Sequence, residues 1–164
     1  MTPASPLALH EETVRPEWID YNGHMNLAYY LLTFDHASDK LFDQLDVGEA
    51  YLARANCSMF VTEAHLTYDR EVRGGDRLRF TTQILGYDAK RMHIFHAMYH
   101  AAEGFLAATS ELMVLHVDMA RRRVTPFPEA VTRRLAALAE AHRRLPKPPQ
   151  VGRVIGLTKR RGDA

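Results

Sequence analysis

The sequence is poor in whatever would staple a protein, anchor it or commit it electrostatically. It has one cysteine, Cys57, in 164 residues, so no disulfide can close within the chain. Its longest uncharged apolar runs, such as Leu112 to Leu115, fall far short of the roughly 20 residues that cross a bilayer, so no membrane partner is expected. Lysine and arginine number 21 against 20 aspartates and glutamates, a net charge of +1. A surface so balanced is no general trap for nucleic acid. Several catalytic signatures are missing too: there is no G-x-S-x-G, no H-E-x-x-H (His10-Glu11-Glu12 runs on into Thr13-Val14), no glycine-rich phosphate loop and no C-x-x-C. Hydrolysis by serine or zinc is therefore not expected. The start, Met1-Thr2-Pro3-Ala4-Ser5-Pro6, shows neither a basic nor a continuous apolar signal region, and the expected address is the cytosol.

What remains is an ordinary globular composition, 46% hydrophobic and 25% charged, long enough to build a core without staples. There is no internal repeat. One composition shift, at Pro146-Lys147-Pro148-Pro149, divides a domain at 1–145 from a Pro-rich basic tail at 146–164. The runs Arg121-Arg122-Arg123 and Lys159-Arg160-Arg161 read as solvated charge, with contact to ligand phosphates as the alternative.

The apolar residues Leu27, Tyr30, Leu31, Phe34, Ala37, Leu41, Phe42 and Leu45 recur at helical spacing. This predicts a helix from about Asn26 to Leu45, capped by Asn22 or Asn26 and stopped at Gly48. The period then drops to two, with Phe60, Ala64, Leu66 and Tyr68 on one strand face and Glu63, His65 and Thr67 on the other. The turn Arg73-Gly74-Gly75-Asp76 leads to a strand over Arg77–Leu85, and Asp88-Ala89-Lys90 breaks it. Met92–His100 and Phe105–Asp118 follow as a meander, Leu9–Arg15 reads as a short first strand, and Pro128 opens a second amphipathic helix. Hairpin-linked strands after one long helix imply an α+β architecture, an antiparallel sheet wrapped around that helix. Open sheet edges make self-association, as a homodimer or homotetramer, the expected arrangement.

The chemistry concentrates in Asp20-Tyr21-Asn22-Gly23-His24-Met25-Asn26, directly before the long helix. Free N–H groups and the positive dipole end of a helix favour an anion there. Gly23 permits a close backbone approach, so a substrate carbonyl could rest on the N–H of Gly23 or His24. Read from the residues alone, the plainer role of Asp20 and Asn22 is to cap the helix.

Asp20-x-x-Gly23-His24-x-Asn26, followed by Ala28, Tyr30 and Phe34, resembles the signature of hot-dog-fold acyl-CoA thioesterases of the 4-hydroxybenzoyl-CoA thioesterase type. Leu66-x-Tyr68-x-Arg70 with Gly75-Asp76 is similar to that family's second strand and turn. The resemblance spans about Val14 to Pro128 and implies a hot-dog fold. It makes Asp20 the catalytic carboxylate, as nucleophile or general base, with the N–H groups of Gly23 and His24 polarising the thioester carbonyl and Asn26 organising the site. Trp18 stands where many members carry an acidic residue, and Leu27 where many have a second Asn. The run Trp18–Asn26 most resembles the hot-dog thioesterases that accompany, or are fused to, carnitine dehydrogenase, which implies betainyl-CoA as substrate. The alternatives are a hydrolase for aromatic or medium-chain acyl-CoA and a non-catalytic acyl-CoA-binding module.

Trp18, Tyr21, Asn22, Tyr30 and Tyr68 are the candidate acyl-pocket residues, although core packing accounts equally well for aromatics at such spacing. Glu63 is the best second polar site residue, with solvent exposure or a dimer contact as the alternative for it and for His65. His96 and His100 stand about 13 Å apart at strand rise, and His93 points to the other face, so no compact metal site is expected from them. Cys57 reads as a small apolar residue. Neither a metal nor a cofactor is expected, coenzyme A being part of the substrate.

Overall fold

The apolar stripe at 27–45 folds as a helix, α1 (Leu27–Leu45). Its start is the side chain of Asn26, whose Oδ1 accepts the Ala28 N–H at 3.0 Å. Its end is not Gly48. Asp46 adopts a left-handed conformation (φ 64°) and turns its N–H back onto the carbonyls of Asp43 and Phe42, closing the helix after Leu45, where the pattern ends, two residues before the glycine. Gly48 instead opens a short helix that the pattern had not suggested, α2 (Glu49–Ala55). A Cβ there would lie 2.1 Å from Asp43 Oδ1, which explains the glycine.

The structure, a computed structural model, describes residues 5–157. Its strands are β1 (Leu7–Thr13), β2 (Cys57–Tyr68), β3 (Arg77–Tyr87), β4 (Arg91–His100), β5 (Leu106–Asp118) and the two-residue β6 (Arg123–Val124). They form one antiparallel sheet in the order β1-β3-β4-β5-β2, with β6 on β5. The meander is β3-β4-β5. β2 is not the hairpin partner of β3: it crosses to β5, so β1 and β2 are the edges. The last helix, α3 (Glu129–His142), takes Pro128 as the residue before its first turn.

Bulges decide which side chains face inward. In β2 the ladder slips between Val61 and Glu63, so Cys57 and Met59 pack on the core before the slip and Leu66 after it. Phe60 is therefore exposed rather than aligned with Leu66. In β3 the slip between Ile84 and Gly86 is met by α3, where His142 Nδ1 accepts the Ile84 N–H at 2.9 Å. After α3, Pro146 to Gln150 line one hollow with Phe95, Ala97 and Tyr99 on the outer sheet face. The Gly152 N–H then donates to Glu111 Oε2 at 2.8 Å. Lys159, Arg160 and Arg161 lie outside the described residues.

The core divides in two along α1. Tyr30, Phe34 and Ala37 pack with Trp18, Met25, Val72, Leu78, Phe80 and Met98 near the helix start. Leu41, Phe42 and Leu45 pack with Ile84, Met92, Ile94, Leu112, Val114 and Leu135 near its end. Between them in register sits a fully buried polar layer. Ser38 donates to the Phe34 carbonyl at 3.0 Å, so the His96 Nε2–H must donate to Ser38 (3.0 Å), and His96 Nδ1 then accepts from Thr82 at 2.8 Å. The ring is neutral, and burial pushes its pKa down to about 3.

This layer ties stability to pH. An unfolded His96 takes up a proton below about 6.5, whereas the folded ring refuses it until about 3, so its stabilisation is present above the unfolded value and lost as pH falls. Wild type should lose about 2 kcal/mol more than His96→Gln between about pH 8 and about pH 5, read by urea unfolding at each pH. Parallel pH profiles for the two proteins would contradict this.

Candidate active site

The stretch before α1 is a closed loop rather than a loose connection. Ile19 bridges Met25, the Asp20 N–H donates to the His24 carbonyl at 3.1 Å, and the Asn26 N–H donates to the Trp18 carbonyl at 2.9 Å. Met25, almost fully buried, donates its N–H to the Val72 carbonyl at 2.9 Å. At the tip Gly23 takes φ 81°, a conformation that a side chain would strain.

These bonds separate the two roles left open for the motif. Asn26 is the cap. Asp20 is not: its Oδ1 accepts the Asn22 N–H at 2.8 Å, and its second oxygen has no hydrogen-bond partner among the described residues. One expected donor is lost, because the Gly23 N–H is committed to the Asp20 carbonyl at 3.0 Å inside the turn. The N–H of His24 has no partner among the described residues, and the N–H of Leu27, first in the helix, has no acceptor within it. The His24 ring donates through Nδ1 to the Met25 carbonyl at 3.2 Å.

Asp20, His24, Asn26, Leu27, Tyr30 and Tyr68 line a cleft of about 360 Å³, with Tyr21 and Asn22 at its lip and Asp69, Arg70 and Glu71 opposite. Tyr21 is 98% exposed. Tyr30 and Tyr68 meet edge to face, centroids 5.2 Å apart. The Tyr30 hydroxyl accepts the Val72 N–H at 3.3 Å, and Tyr68 donates to the Leu27 carbonyl at 3.3 Å. Burial raises both phenol pKa values. Glu71 is held below the usual carboxylate range by its hydrogen bond to Arg73, so it stays ionised. The cleft thus combines three carboxyl groups with an exposed phenol face.

Two expected pocket residues lie elsewhere. Trp18 is buried, stacked on Tyr29 (5.5 Å, 16°) and covered by the Arg15 guanidinium at 5.0 Å, so it packs the helix start instead of lining the cleft. Glu63 stands on β2 five residues from Tyr68, about 16 Å away at strand rise. It lines a different depression with His65, His93 and Glu111. Asp69 and Glu71 went unnoticed because in sequence they are only polar residues between a strand and a turn; the crossover from β2 to β3 brings them to Asp20. The strand histidines keep apart: His93 pairs with Glu111 (2.7 Å) and His100 with Asp76 (3.5 Å).

The family model of the thioesterase-like superfamily matches residues 14–135. The chain is 46% identical over 151 residues to a betainyl-CoA thioesterase of Pseudomonas aeruginosa, covering 92% of this chain and 95% of that one. It is 38% identical to an L-carnitine dehydrogenase/betainyl-CoA thioesterase of Rhizobium meliloti, covering 93% of this chain but only 31% of that longer protein. Among solved structures, a Staphylococcus aureus protein in complex with CoA superposes with a TM-score of 0.86 at 28% identity, over 93% of this chain and 97% of that one. The chain belongs to the thioesterase-like superfamily and is an acyl-CoA thioesterase of the hot-dog fold.

Proposed function

We propose that this chain is a cytosolic enzyme that hydrolyses betainyl-CoA to betaine and CoA, with Asp20 as its catalytic carboxylate. The observation that carries this reading is the free oxygen of Asp20 in a cleft whose other walls are the Tyr68 face and the carboxylates Asp69 and Glu71. The carboxylate either removes a proton from water as the water adds to the thioester carbon, or adds to that carbon itself and is released by water. In both routes the carbon–sulfur bond breaks and the thiolate leaves with a proton. Negative charge developing on the carbonyl oxygen is met by the N–H of His24 at the positive end of α1. The quaternary ammonium of a betainyl group has no hydrogen to donate, so it is held by charge and by aromatic faces. The P. aeruginosa relative's name agrees with that reading.

The enzyme works as a homodimer or homotetramer. β2 is an open edge with exposed Phe60, Val61 and Tyr68, and its Glu63 can approach an Asp20 cleft only on a second copy. Light scattering should give two or four chains per particle; a fully active monomer at assay concentration would contradict it.

Asp20→Asn should fold with unchanged stability, since the Asn22 N–H keeps an acceptor and Asn26 keeps the cap. It should lower kcat for acyl-CoA hydrolysis about a hundredfold or more, measured as thiol release. Near-wild-type turnover in the folded variant would remove Asp20 from the mechanism.

Selectivity tests the acyl group separately. Betainyl-CoA should exceed its neutral isostere 3,3-dimethylbutyryl-CoA in kcat/KM by about tenfold or more, and Tyr68→Leu should cut that ratio by roughly 2–30-fold. Trp18→Leu, altering a packed ring, should leave the ratio alone. Equal rates for the two thioesters in wild type, or a preference for aromatic acyl-CoA, would overturn the substrate assignment while leaving Asp20 in place.

A further inference from the structure

Away from the cleft, His10, Glu12 and His36 bring their ligand atoms within 4.8 Å of one another, the one such cluster among the described residues. A strand irregularity assembles it. The ladder of β1 slips between Leu7 and His10, so Leu7 and Leu9 turn toward the core before the slip and His10 and Glu12 after it, while Ala8, Glu11 and Thr13 stay outside. α1 supplies His36 from the facing surface, about 15 Å along the axis from Asn26.

Both imidazoles converge on one carboxylate oxygen. Glu12 Oε2 lies 3.1 Å from His10 Nε2 and 2.8 Å from His36 Nδ1. Ligands at about 2.0–2.1 Å from a tetrahedral zinc ion stand about 3.4 Å from each other, a spacing between these two contacts and the 4.8 Å within which all three ligand atoms lie. Two imidazole nitrogens and one carboxylate oxygen suit a divalent first-row metal better than calcium or magnesium, which take oxygen ligands. The surroundings hold the donors in place. The His10 ring rests on Phe80, centroids 5.0 Å apart, and Arg15 stands 3.7 Å from the other Glu12 oxygen. The His10 and Glu12 side chains are 13% and 11% exposed, whereas His36 is 33% exposed and leaves a way in from solvent.

We propose that His10, Glu12 and His36 bind one divalent transition-metal ion, Zn2+ by donor type, as a clamp between edge strand β1 and helix α1. The alternative is a purely hydrogen-bonded triad in which both rings donate to one carboxylate oxygen.

Titration of zinc chloride into the tag-free, chelator-treated full chain should show one saturable site per chain by calorimetry. Glu12→Gln and His36→Ala should each weaken it about tenfold or more. Zn2+ should raise the unfolding midpoint of wild type and leave that of His10→Ala/His36→Ala unmoved. Co2+ in place of Zn2+ should give a visible ligand-field band that His36→Ala abolishes; this position is on the helix surface, so the variant decides the matter even where Glu12→Gln folds poorly. The absence of a saturable site, or equal zinc affinity in wild type and His36→Ala, would leave only the hydrogen-bonded triad.

Discussion

The structure depends on how the first turn of α1 is fixed. Apolar packing along the side of a helix tolerates small shifts along its axis, so directional bonds at its start matter. Here the start is set by backbone bonds: Asn26 to Trp18, Met25 to Val72, and the Ile19–Met25 bridge. None of these uses a side chain that chemistry needs. Asn26 alone caps the helix, which leaves a carboxyl oxygen of Asp20 and the N–H of His24 unspent beside the positive helix end. That division of labour turns a helix start into a site.

The same economy limits the site. A tight turn holding Asp20 two residues before Asn22 consumes the N–H of Gly23 as well as that of Asn22. Under the proposed mechanism an oxyanion would therefore draw on fewer donors than the motif suggests, leaving more of the stabilisation to the helix dipole and the N–H of His24. The opposite wall is not apolar. Asp69, Arg70 and Glu71 line it, with Glu71 ion-paired to Arg73, and under the proposed function the carboxylates there would favour a cationic acyl group over an anionic one. On the same reading the phenol face of Tyr68 would discriminate in the same direction through its quadrupole.

Much of this was legible in the sequence for identifiable reasons. The helical stripe from Leu27 to Leu45 and the strand breaks at 73–76 and 88–90 are strong periodic signals, and the motif before the helix carries its own chemistry. What escaped follows from bulges and crossovers, which leave no mark on a period-two pattern. The slip in β2 exposed Phe60, the crossing of β2 to β5 made it an edge strand, and neither is encoded by spacing. Trp18 was misplaced because aromatic content near a motif does not say which faces are already occupied; Tyr29 and Arg15 cover it. Asp46 ended α1 before Gly48 because an aspartate can adopt the left-handed conformation at modest cost.

The bulges also explain why polar groups are found inside a sheet that a strict alternation would have kept apolar. In β1, regular alternation from Leu7 would place Glu11 inward and His10 and Glu12 in water; one extra residue exchanges them. In β3, beside the slip, the Ile84 N–H donates to His142 of α3. In these two strands a histidine from a helix meets the polar group that the irregularity presents: His142 in β3 and His36 in β1. Helices α1 and α3 are thus tied to the sheet by specific polar contacts as well as by packing. Buried, directional contacts of this kind select one register where apolar burial alone would tolerate several, and on α1 that register sets the position of the helix start beside Asp20.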